Sequence, residues 1–261
     1  MRNTIASLAM LLVSCGNGAA SNDGGASGPS GTGTVASVAS ADPPVAPSPL
    51  QEGVVATDAG TLLSSALTPR QSGRYAPRDE CAGVPGAAAF RQELAEALVS
   101  GDAEKVAGLA EPDVKLGFGG DDGAARLRQR LDEADREYLD EWRKVLGLGC
   151  AREGGDTIVM PWLFAQDPGD ADPYMAMVVT TENVPLLAGP SRDAKILARL
   201  SWDIVTLSGG LQPDRPFQAV ETTDGTRGYM ATGMLRSQLD YRLIAERRGG
   251  AWRVTAFVAG D

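Results

Sequence analysis

The sequence predicts an α+β fold, and two observations carry that reading. Between Pro85 and Gly147 apolar residues recur at helical spacing, whereas from Thr157 onward the runs shorten and alternate like half-buried strands. The alternation ends in two runs, 241–248 and 251–258, joined by Gly249-Gly250, a two-residue connection in which both positions tolerate positive φ.

Each element follows in order. Phe90, Leu94, Ala97 and Leu98 mark an amphipathic helix that Gly101 stops. Asp102 can cap a short second helix carrying Val106 and Leu109, and Pro112 closes it ahead of an alternating strand, Val114 to Phe118. Gly119-Gly120 turn the chain. Asp121 or Asp122 can start a third helix with Leu127 and Leu131 on one face, and Tyr138, Trp142, Val145 and Leu146 mark a fourth before Gly147. Thr157 to Phe164 reads as a strand, and Pro161 near its middle suggests an edge position, where a missing N–H matters least.

The first third of the chain is compositionally different. Residues 16–76 are dominated by Gly, Ser, Ala, Thr and Pro, so they bury too little surface to offset ordering entropy and read as a linker. All four Trp residues lie beyond it. The formal charge is −10, of which residues 1–76 carry −1, three arginines against four carboxylates. The remaining −9 should repel nucleic acid and anionic lipid, and no basic stripe supports phosphate neutralisation. Histidine is absent, which removes imidazole bases and nearly all zinc sites.

At the amino end Arg2 precedes an apolar run, Thr4 to Val13, too short to anchor stably across a bilayer. The following Leu12-Val13-Ser14-Cys15 resembles the lipobox of bacterial lipoproteins. That resemblance implies a signal peptide over 1–14, lipidation of Cys15, and a place in the cell envelope facing the periplasm. Gly16 in place of Asp favours the outer membrane by similarity to enteric sorting rules. A linker of about sixty residues spans about 40 Å as a flexible coil. In an oxidising compartment Cys81 and Cys150 could close a disulfide loop contributing about 4 kcal/mol, the alternative being two buried thiols.

Between about 177 and 236 the residues Val184-Pro185-Leu186-Leu187-Ala188-Gly189-Pro190-Ser191, Ile196 to Leu200, Ile204 to Leu207, Phe217 to Val220 and Asp224-Gly225-Thr226-Arg227-Gly228-Tyr229-Met230 resemble the bacterial SH3-like barrel in order and spacing. Asp224-Gly225 is a hairpin signal by itself. Members of that family often bind cell-wall peptides or other envelope partners. The usual Asn-Val-Arg before the Gly-Pro turn corresponds here to Pro185-Leu186-Leu187, so ligand contacts made by those polar side chains do not carry over.

The closing Gly249-Gly250-Ala251-Trp252-Arg253-Val254-Thr255-Ala256-Phe257 is similar to the last strands of cone folds such as nuclear transport factor 2 and ketosteroid isomerase. Two layouts stay open: a barrel interrupting such a domain, or a helical domain followed by a barrel with extra strands. The organisation expected is a signal peptide (1–14), lipidated cysteine and linker (15–76), helical α+β part (77–173), SH3-like barrel (174–237) and C-terminal hairpin packing on the α+β part (238–261).

Among candidate chemistries, Asp167, Asp170 and Asp172 lack the later Glu and central Gly of a calcium loop and read as solvated. The acids from Asp132 to Glu141, interleaved with arginines, read as an exposed salt-bridged face. No nucleophile, base or metal set emerges, so no catalytic residue, metal or cofactor is expected. Trp162 and Trp252 read as core, and Trp202, Phe217 and Tyr229 are the aromatics best suited to a peptide or glycan contact. The function expected is a non-catalytic lipid-anchored module binding a periplasmic protein or peptidoglycan through the barrel or an adjoining groove. The alternative is a small-molecule binder or isomerase-type enzyme using the cone.

Overall fold

Helices dominate the described chain up to residue 147, as apolar rows at helical spacing predict. The computed structural model describes residues 58–64 and 73–260. The signal peptide, Cys15 and most of the linker lie outside the described residues. α1 spans Ala59–Ser64, and α2 spans Ala87–Ser100, burying Phe90, Leu94 and Leu98 on one stripe and ending at Gly101 with φ 67°. α3 is Ala103–Gly108, and the Asp102 carboxylate accepts the Lys105 N–H as its cap.

β1 covers Ala110–Lys115, so the strand begins ahead of the expected Val114 and contains Pro112. Proline is tolerated there because β1 is the outermost strand of its sheet. α4 is Ala124–Leu131, and its cap position is Gly123, neither of the two aspartates expected. Asp122 turns back and accepts the Leu116 N–H at 2.8 Å and the Lys115 Nζ at 2.9 Å. Those donors, the Leu116 amide foremost, hold its carboxyl below the usual carboxylate range. α5, Glu137–Gly147, buries Tyr138, Trp142, Val145 and Leu146 as their spacing predicts.

The run from Thr157 to Phe164 is not one strand. β2 is Ala151–Arg152 and β3 is Thr157–Met160, while Trp162–Ala165 form a 3-10 turn. Pro161 offers no N–H to continue the ladder, so the strand stops before it. β3 is also not at the edge, because β2 pairs along its far side.

The remaining strands are β4 (Ala176–Val179), β5 (Val184–Leu187), β6 (Ile196–Leu200), β7 (Ile204–Leu207), β8 (Phe217–Thr222), β9 (Arg227–Ala231), β10 (Leu235–Ser237), β11 (Arg242–Arg248) and β12 (Ala251–Val258). They assort into two sheets. One has five strands in the order β1-β12-β11-β3-β2, and the other seven in the order β10-β4-β7-β8-β9-β5-β6. The hairpin β11–β12 turns at Gly249 and Gly250, with φ 59° and 88°, and supplies the inner strands of the first sheet. That sheet is therefore built from both ends of the folded chain, with residues 176–237 between them forming the second. The fold is α+β.

Residues 58–64 and 73–76, expected to lie in the linker, include folded ones. Ala59 and Leu62 of α1 join the core with α2 and α5, and Tyr75 and Ala76 are buried. Composition averaged over the whole segment hid this, because Leu62-Leu63 and Tyr75 are few among many small residues.

Three apolar clusters result. The first joins the five helices to β1, β3, β11 and β12. The second, including Met177, Val179, Leu186, Val205, Val220 and Met230, lies inside the seven-stranded sheet. The third, Tyr75, Leu163, Ala176, Val178 and Ile204, occupies the opposite face of β4. β4 is buried along its whole length because alternate residues enter the two clusters.

Candidate functional site

The outer face of the seven-stranded sheet holds two of the three aromatic candidates. On β8, Gln218 and Val220 point into the sheet's core and are buried, while Phe217 and Ala219 take the alternate, half-buried positions. The register pairs Ala219 with Tyr229 and Phe217 with Ala231, which sets Phe217 and Tyr229 diagonally on one face. Leu187 of β5 pairs with Tyr229, and Ile196 of β6 pairs with Leu187. Ile196, Leu187, Tyr229 and Ala219 thus form one transverse apolar row across four strands.

Trp202 is not part of that face. It sits in the turn between β6 and β7 with φ 49° and is 5 % exposed, so its ring is not offered to a ligand. The backbone of residues 73–75 crosses directly over it, the Tyr75 N–H donating to the Trp202 carbonyl at 2.9 Å. A Cβ at Gly73 would lie 2.2 Å from the Ser201 carbonyl oxygen, so only glycine fits. The Tyr75 hydroxyl, in turn, donates to the Asp167 carbonyl at 3.2 Å.

Gln218 is a structural residue that the sequence did not single out. Its amide accepts from the Gln212 N–H and donates to the Gln212 carbonyl and the Thr232 hydroxyl, pinning the loop before β8 to the strand. A polar residue at an inward strand position was the available signal.

The cysteines meet. Cys81 and Cys150 form a disulfide with Cα atoms 5.8 Å apart, both residues fully buried. With Asp79 they are the only group of metal-type ligand atoms close together among the described residues. Their sulfurs are bonded to each other, and Asp79 accepts from Arg91 at 2.7 Å and from the Cys81 N–H at 2.9 Å. Asp167 and Asp172 accept the N–H groups of Gly169 and Tyr174, which shapes their loop rather than a shared cation site.

The interior of the α+β part is filled by rings. Trp142 stacks on Phe257 at 4.3 Å, Tyr241 stacks on Phe257 at 4.8 Å, and Tyr138 meets Phe257 edge-on at 5.4 Å. The Arg130 guanidinium lies over the Tyr138 ring at 3.7 Å and donates to the Tyr241 hydroxyl. Burial pushes the Tyr138 phenol up to about 12, against the lowering pull of Arg130. Trp162 and Trp252 are core residues, their indole N–H groups donating to Glu80 Oε1 and to the Pro85 carbonyl.

Outside that interior, a shallow groove runs between α3 and α4, lined by Ala107, Ala124, Glu104 and Arg128. Arg128 donates to Glu104 at 2.7 Å across it. One acid of the face expected to be exposed instead turns inward: Glu141 pairs with the buried Arg236.

No protein-family model and no curated protein matches the chain. Among solved structures it is similar to a candidate calcium/calmodulin dependent protein kinase II association domain from Xanthomonas campestris, at 15 % identity over 72 % of this chain and 97 % of that one, TM-score 0.26. It is also similar to a candidate ketosteroid isomerase from Shewanella frigidimarina, at 9 % identity over 65 % and 90 %, TM-score 0.24. A third is an NTF2-like protein with a cystatin-like fold from Novosphingobium aromaticivorans, at 14 % identity over 63 % and 71 %, TM-score 0.22. At such TM-scores the likeness carries no argument about this chain. No helix among the described residues is long and apolar enough to cross a membrane.

Proposed function

We propose that this chain is a non-catalytic envelope lipoprotein, anchored through Cys15, whose seven-stranded sheet is an SH3-like barrel that binds a periplasmic protein or cell-wall component. The observation that carries the reading is where apolar surface remains: the α+β interior is occupied by Trp142, Phe257, Tyr138 and Tyr241, whereas Phe217 and Tyr229 lie half-buried on the outer face of the barrel. A buried disulfide suits an oxidising compartment, in keeping with the export signal ahead of Cys15. Those ring contacts are what speaks against the cone reading, which needs a ligand-sized cavity.

The test has two arms. Radiolabelled palmitate should enter the chain in a bacterial host and fail to enter the Cys15→Ser chain. Purified cell wall and cross-linked periplasmic extract should each be offered to the full chain, to a linker-only control and to the Phe217→Ser/Tyr229→Ser chain. Enrichment lost in both controls supports the reading, and enrichment equal to the linker-only control counts against it.

A further inference from the structure

β6 is the one sheet edge built to accept another strand, among the described residues. The other three ends of the two sheets are blunted: β2 has two residues, β10 has three, and β1 contains Pro112. β6 has five residues and no proline, and it ends the sheet beyond β5, so its outward N–H and C=O groups have no ladder partner.

The side chains around this edge are specific in kind. Ile196 and Leu197 are 45 % and 42 % exposed, and the register shift between the Leu186–Ala198 and Leu187–Ile196 pairs leaves Leu197 as the extra residue. Ile196 also begins the transverse row that runs through the buried Leu187 to the half-buried Tyr229, so the edge is in register with the outer face. Arg192, Lys195 and Arg199 are exposed around it with Asp193 as the only acid from 192 to 199, giving that stretch a net +2 in a chain of −10. Arg199 gives one hydrogen bond to the Asn183 carbonyl and keeps its charge and further donors.

We propose that β6 takes an extended, acidic segment of a partner protein as an added strand. Main-chain hydrogen bonds hold the segment, its carboxylates meet Lys195 and Arg199, and its apolar residues extend the row from Ile196. Charge decides the occupant. A second copy pairing through the same edge would gather two net-positive stretches at one seam, whereas an acidic strand neutralises them. This rests on the proposed binding role of the barrel and names its partner's chemistry.

The probe is a fluorescein-labelled octapeptide of alternating Glu and Val, titrated against the purified full chain and followed by anisotropy. Binding should weaken by about tenfold or more when Lys195→Glu and Arg199→Glu are combined. If that chain does not fold, Lys195→Gln with Arg199→Gln replaces it, with a smaller loss in the same direction. A peptide of alternating Lys and Val should not bind, nor should an acidic peptide interrupted by prolines, which cannot complete a ladder. No binding of the Glu-Val peptide at millimolar concentration, equal binding of either control, or binding unchanged by the charge substitutions overturns the proposal. So does self-association of the chain that the substitutions abolish or strengthen, because the edge would then serve a second copy. None of these measurements depends on Cys15. An unlipidated chain that still binds the peptide therefore sinks the anchor alone, and an extract pull-down without peptide binding sinks the strand alone.

Discussion

Arg236 Nη2 lies 2.7 Å from Glu141 Oε1, and the two side chains are 7 % and 15 % exposed. The contact joins β10 of the seven-stranded sheet to α5, which packs on the five-stranded one, and the same nitrogen donates to the Tyr241 carbonyl at 2.9 Å at the entry to β11. Its two charges attract without a well-directed hydrogen bond at Glu141 Oε1. The pair fixes where one sheet meets the other, as a buried charge without its partner is costly.

Removing one member should therefore cost more than removing both. Arg236→Met is expected to lower unfolding stability by about 3 kcal/mol, and adding Glu141→Leu should restore most of it. Urea denaturation of the three chains measures this, and equal midpoints for the parent and Arg236→Met would refute the coupling.

The Cys81–Cys150 bond closes a loop across a sequence separation of 69 residues. Chain entropy assigns such a loop about 4 kcal/mol. The Cys81→Ala/Cys150→Ala chain should lose that order of stability under oxidising conditions and match the reduced parent in the presence of thiol. A double variant as stable as the oxidised parent contradicts the estimate.

Tyr138 sets an alkaline limit. Its phenol ionises near 10 when unfolded and near 12 when folded, so its contribution is fully present below pH 10 and is lost as pH rises from there through about 12. Stability followed by fluorescence should fall across that window, and Tyr138→Phe should flatten the fall. Tyrosinate absorbance of the folded chain should show a phenol titrating near pH 12 that is absent in the variant.

Gly73 is a second sensitive point. Gly73→Ala should lift the 73–75 segment from the Ser201–Trp202 turn while leaving the helices and the disulfide in place, because the steric conflict is local. Limited proteolysis should then cut ahead of Arg78 faster than in the parent, with far-UV circular dichroism unchanged. Identical cleavage would show that the segment is not held there.

Much of the fold was legible because single residue types decide it. Leu94 with Leu98, and Trp142 with Val145 and Leu146, recur at a spacing only a helix makes one-sided, and Gly249-Gly250 supplies the two positive φ values that a tight hairpin turn needs. What was not legible depends on partners distant in sequence. Pro112 reads as a terminator until β1 is known to lie outermost, and Glu141 reads as solvated until Arg236 approaches it. Trp202 shows the same limit: an aromatic near a turn suits a ligand platform, and only the chain at Gly73 reveals that the place is taken. Phe217 and Tyr229 were separable as candidates, but their shared face comes from register, which local pattern does not specify.

Because β11 and β12 lie between β1 and β3, the five-stranded sheet stays open until residues 242–258 are in place. A chain interrupted between residues 160 and 242 would carry β1 and β3 with nothing between them and a helical layer with half its floor missing. This sheet therefore waits on strands that come after the whole seven-stranded one, whose own strands are contiguous from 176 to 237. β1 thus precedes every strand of the second sheet, while the strand it pairs with follows them all.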